Sequence, residues 1–175
     1  MKKFLVPLSL SLVMTACTKE TFDDEILYPE QVKNGSFEDV DLATNYWTAV
    51  GLGEVTLSGD DAFDGAYAMM VSPEECFEIS YTDPLDVVSN ATYELSFVTK
   101  ITGLATGCLA EFYLTLEQDG NNILEVNIAS GTALDWDQRV LYVRTDSSSP
   151  VYLKIYTGSE QVLLDNIRFK RIDSL

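Results

Sequence analysis

The sequence predicts an all-β fold, a β-sandwich or jelly roll of about eight to ten short strands. Three observations predict it. Apolar and polar residues alternate in short runs along most of the chain. Gly, Asn, Asp, Ser and Pro separate the runs. No stretch carries the 3.6-residue repeat of a long amphipathic helix.

The strands read in order as follows. Val55–Leu57 is a short strand, and Gly59-Asp60-Asp61 turns the chain. Tyr67–Val71 is a strand that ends near Pro73, and Cys76–Tyr81 is one that ends at Asp83-Pro84. In Ala91–Lys100, Tyr93, Leu95 and Phe97 share a face; in Leu109–Glu117, Ala110, Phe112, Leu114 and Leu116 do. Asp119-Gly120-Asn121-Asn122 is a hairpin signal leading into Ile123–Ile128, with Leu124, Val126 and Ile128 facing in. Gln138–Thr145 follows, then a polar turn at Asp146–Pro150. Val151–Tyr156 has Val151, Leu153 and Ile155 on one face, and Gly158-Ser159 turns into Val162–Lys170. Asn90-Ala91-Thr92 has the form of a glycosylation acceptor and reads as a turn into a strand.

The start of the chain has a different character. Met1-Lys2-Lys3 is a positive segment, and Phe4–Val13 is an apolar run too short to span a bilayer as a stable helix. Met14-Thr15-Ala16-Cys17 resembles a lipobox, which implies cleavage after residue 16 and lipid on Cys17. Residues 17–31 then read as the lipidated cysteine and an acidic tether with Glu20, Asp23, Asp24 and Glu25. That tether resembles the export signals of Bacteroidetes-type lipoproteins. It implies an outer-membrane protein held by its lipid, facing the cell surface or the periplasm. Residues 32–173 form the domain, long enough to bury a core.

Net charge is −17, and removing Lys2 and Lys3 takes it to −19. Such a charge repels nucleic acid and anionic headgroups. Histidine is absent, which excludes Ser-His-Asp and Cys-His catalysis and His-ligated zinc. A hydrolase using carboxylates alone survives that exclusion, but no paired-carboxylate motif stands out. With Cys17 lipidated, Cys76 and Cys108 remain as an even pair, for which a disulfide contributing roughly 3–4 kcal/mol is expected. Two buried thiols are the alternative.

Several segments together carry a family resemblance. They are Asn34-Gly35-Ser36-Phe37-Glu38 with Trp47 beyond it, Asp64-Gly65-Ala66-Tyr67-Ala68, Ala91–Phe97, Trp136, and Leu164-Asp165-Asn166-Ile167-Arg168-Phe169. Their order resembles the CenC-like carbohydrate-binding modules of families 4, 9 and 22, which are galactose-binding-domain-like jelly rolls. The resemblance implies a structural calcium between the first and last strands. Its ligands would be the carboxylates of Glu38 and Asp165 and backbone carbonyls near Ser36 and Ala66, in keeping with the six to eight oxygens that calcium prefers. It also implies that Trp47 and Trp136 are scaffold.

A concave sheet face would bind glycan through flat rings and nearby hydrogen-bonding groups. Residues out of phase with the core are the candidates: Glu111, Tyr113 and Thr115 on one strand, Tyr152, Lys154 and Tyr156 on another, and Tyr142 and Arg144 on a third. Outward tyrosine and threonine are also simply good strand formers. The expected function is a non-catalytic, glycan-binding lipoprotein. The alternative is a structural subunit of an envelope protein assembly with no sugar site.

Overall fold

A computed structural model describes residues 28–41, 46–104, 112–128, 135–158 and 160–172. Ten strands form among them: β1 Trp47–Val50, β2 Gly53–Ser58, β3 Ala68–Pro73, β4 Phe77–Tyr81, β5 Thr92–Leu104, β6 Tyr113–Gln118, β7 Asn121–Asn127, β8 Asp137–Arg144, β9 Val151–Thr157 and β10 Glu160–Arg171. They make two five-stranded antiparallel sheets, ordered β1-β4-β9-β6-β7 and β2-β3-β10-β5-β8. This is the predicted β-sandwich. β1 is a strand that the sequence pattern does not predict: only Trp47 of its four residues is buried, so its alternation is weak.

The pleat accounts for the core. Alternate residues of a strand face the same side, and the inward set of the first sheet is Trp47, Ile79, Tyr81, Leu114, Leu116, Leu153 and Ile155. Met69, Val71, Leu95, Phe97, Val162, Leu164 and Phe169 meet them from the second. Burying each such side chain contributes roughly 1.5–3 kcal/mol. Tyr93 and Phe169 stack at 4.9 Å between ring centres. The β6–β7 hairpin turns through Asp119 and Gly120, both at positive φ (52° and 75°), as a two-residue turn requires.

The segment before β1 is part of the body. The Gln31 amide donates to the Phe169 carbonyl at 3.0 Å, and the Ile167 amide to the Gly35 carbonyl at 2.9 Å. The Phe169 amide donates to Glu30 Oε1 at 2.6 Å. Glu30 and Gln31, expected in the tether, are thus fastened to β10. A Cβ on Gly35 would overlap the Ile167 carbonyl oxygen, so only glycine permits this approach. β10 itself is irregular. Its register against β5 shifts between Asp165 and Arg168, and Asn166 takes a left-handed φ of 49°. That is a β-bulge in a central strand.

Candidate functional site

The outward face of the first sheet presents its side chains in registered rows. One row runs Asn127, Tyr113, Tyr156, Glu78, Val50, from β7 to β1. The next runs Glu125, Thr115, Lys154, Ser80, Thr48, and a third holds Asn122, Glu117 and Tyr152. Tyr113 and Tyr156 stack with centroids 4.9 Å apart and planes 21° from parallel. Tyr152 is 45% exposed at the end of the face.

Charged groups lock this face together. Lys154 Nζ lies 2.9 Å from Glu117 Oε2 and 4.0 Å from Glu78 Oε1. The Glu117 hydrogen bond holds the Lys154 ammonium above its ordinary pKa. Ser80 Oγ donates to Glu78 Oε1 at 2.9 Å. Burial first, then a hydrogen bond to Glu78, pushes the Tyr156 phenol up. Beneath these groups Thr115 is 1% exposed, and its hydroxyl has no hydrogen-bond partner among the described residues. A buried hydroxyl without a partner costs roughly 1–3 kcal/mol. Half-buried rings and fixed charged groups make a surface that can stack on a ring and bind its hydroxyls.

The structure separates the expected ligand residues into two groups. Tyr113, Tyr152 and Tyr156 share the face just described. Tyr142 and Arg144 lie on β8, which pairs with β5 in the other sheet. There Tyr142 is 62% exposed, in a row with Glu94 and Lys170. Two outward faces of a sandwich point in opposite directions, so one groove cannot hold both groups. Alternation distinguishes inside from outside but not one outside from the other. Glu111 lies outside the described residues.

Glu38 and Asp165 come to the same loop, but to its amides. Asp165 Oδ2 accepts the amides of Phe63 (3.0 Å) and Asp64 (3.1 Å), and Oδ1 accepts that of Asn166 (2.7 Å). Glu38 Oε1 accepts the amides of Ala66 (2.9 Å) and Tyr67 (3.0 Å). Gly65, at φ 75°, leaves no room for a Cβ beside Glu38. Backbone N–H groups thus supply the positive ends that a cation would supply. Of the expected calcium set of Ser36, Glu38, Ala66 and Asp165, Glu38 Oε1 and both Asp165 oxygens are thus engaged by amides, whereas calcium would draw six to eight oxygens around itself. No group of three or more acidic or Cys ligands suited to a metal occurs among the described residues. Asp165 is fully buried, and desolvation raises its pKa despite the three amides.

Trp47 is buried against Phe37 and Tyr81. Trp136 is half-buried, donating to Asp61 Oδ1 at 3.3 Å and meeting Phe63 edge-on. Both are scaffold, as the resemblance implied. Cys76 is held in a disulfide; Cys17 and Cys108 lie outside the described residues.

No family model matches the chain, and no curated protein matches it. Solved structures do. TmCBM61, in complex with β-1,4-galactotriose, is 17% identical, with a TM-score of 0.59 over 82% of this chain and 99% of its own. The CBM22-1 xylan-binding domain of Paenibacillus barcinonensis Xyn10C is 19% identical, with a TM-score of 0.57 over 85% and 98%. A cyclase from Fischerella sp. is 13% identical, with a TM-score of 0.60 over 86% and 98%. The chain has the jelly-roll β-sandwich of carbohydrate-binding modules, a fold that also carries other activities.

Proposed function

We propose that this protein is a non-catalytic glycan-binding lipoprotein of the bacterial envelope, held by lipid on Cys17. It binds a neutral oligosaccharide or polysaccharide on the outward face of the first sheet. The observation that carries this reading is the stacked Tyr113–Tyr156 pair on the outward face of the first sheet, beside the Glu117–Lys154–Glu78 charges. Tyrosine rings offer an apolar face to a sugar ring and a hydroxyl to its substituents. Glu78, Glu117 and the clamped Lys154 supply fixed acceptors and a donor. TmCBM61, in complex with a galactotriose, and the xylan-binding Xyn10C domain support an uncharged glycan. No bond is made or broken, and a polymer would add avidity through repeated engagement.

Affinity electrophoresis in gels containing neutral polysaccharides tests this. Retardation should disappear in Tyr113→Ala and in Tyr156→Ala and persist in Tyr142→Ala, which alters the opposite face. Retardation unchanged in the first two variants would sink the proposal.

One observation favours a second reading, an interaction subunit. Val140 (44%) and Tyr142 (62%) are exposed on β8, an edge strand. Co-purification of an envelope protein, lost in Tyr142→Ala, would support it.

A further inference from the structure

The bulge in β10 opens a cavity of about 150 Å³ on the outward side of the second sheet. Its lining includes Phe63, Phe97, Gln138, Asn166 and Arg168. Three features mark it as built for a ligand. First, the Arg168 guanidinium has no ion pair or hydrogen bond among the described residues, in a chain with 28 acidic residues and 11 basic ones. Second, no carboxylate lines the cavity. Asp165 is buried under three amides; Glu30, outside this cavity, accepts the amides of Gln31, Val32 and Phe169 and attracts Arg168 only at longer range, without an ion pair. Third, Phe63 is 46% exposed yet held from behind, its ring by Trp136 and its amide by Asp165. Asp165 also fixes the Asn166 amide, so one buried carboxylate positions both walls. Bulges that re-aim side chains in this way recur beside binding sites.

We propose that this cavity is a second ligand site, specific for a single sugar ring that bears a carboxylate, such as a hexuronate at a chain end. The volume lies below the ~300–1,000 Å³ of pockets that enclose drug-sized ligands, so it takes one ring. Phe63 supplies the apolar wall. Arg168 meets the carboxylate with a two-pronged hydrogen bond, and the amides of Gln138 and Asn166 bind hydroxyls. A neighbouring cavity of about 260 Å³ shares Asn166 and Arg168 but is lined by Glu30, which repels an anion. The chain's overall negative charge opposes approach, but screening confines that opposition to about 8 Å at physiological salt. This site is independent of the tyrosine face.

Calorimetric titration of the protein with galacturonate, glucuronate, galactose and acetate provides the test. Both uronates should bind in the millimolar range, and galactose and acetate at least about tenfold more weakly. Arg168→Gln should weaken uronate binding about tenfold or more, and Phe63→Ala should also weaken it. Near-ultraviolet circular dichroism would verify that the Arg168→Gln fold is kept. Tyr156→Ala should leave uronate binding unchanged. The proposal is overturned if uronates do not bind or if Arg168→Gln binds them as well as the unaltered protein does. Equal binding of galactose would remove the carboxylate from the assignment, and equal binding of acetate would remove the sugar; either result rejects it.

Discussion

At the scale of single residues, Asp165 is the most consequential side chain. It gathers amides from Phe63, Asp64 and Asn166 while fully buried. Burial raises its pKa above the ordinary 3.8, and burial also raises that of Glu30 above 4.5. A carboxyl that holds its proton more tightly when folded stabilises the fold most below its unfolded pKa. That contribution is lost as pH rises through the raised folded value. Mild acidification from neutral pH should therefore raise the melting temperature, and Asp165→Asn should remove part of this dependence. At pH 7 the same variant should cost about 1–3 kcal/mol in urea unfolding, because an amide nitrogen would then face backbone N–H donors. Chelation provides a separate check on the loop. With its amides already on Glu38 and Asp165, excess EDTA should leave the melting temperature unchanged, and calcium should not raise it. A calcium-dependent rise would show that the loop rearranges around a metal.

At the scale of elements, β9 links both halves of the first sheet and lies under the candidate face. Leu153→Ala, deep in the core, should cost about 2–5 kcal/mol by denaturant titration. Tyr156→Phe removes only a hydroxyl bound to Glu78, so it should reduce glycan affinity with little change in stability. Strands were legible in the sequence where apolar residues alternate over five or more positions. Val151, Leu153 and Ile155 are buried as their spacing indicated, and so are Tyr93, Leu95 and Phe97. The sheet to which each strand belongs was not legible, because alternation carries no information about partners. Tyr142 and Arg144 were therefore grouped with residues on the far side of the molecule. Phe63 and Arg168 were missed as a pair, since over a hundred positions separate them. A signal was nevertheless present: Asp165-Asn166 interrupts an apolar strand with two residues that strands disfavour, and Asn tolerates a left-handed backbone.

At the scale of the whole molecule, charge dominates. Eleven basic residues face 28 acidic ones, and like-charge repulsion works against compactness. Added sodium chloride should screen it, so the melting temperature should rise between low and physiological ionic strength. A fall would mean that the local pairs, such as Lys154 with Glu117, outweigh the general repulsion. The topology joins strands distant in sequence, β10 with β3 and β1 with β4 among them. Such pairings close long loops before they stabilise anything, which predicts folding in milliseconds to seconds.

The attachment of Gln31 to Phe169 has a mechanical meaning. β10 is the middle strand of its sheet, flanked by β3 and β5. Tension applied to the chain ahead of Tyr28 enters the sandwich there, spreading to both flanks instead of peeling a strand from the rim. A body leashed by that end and tugged by whatever it grips would meet the strain at its most braced seam.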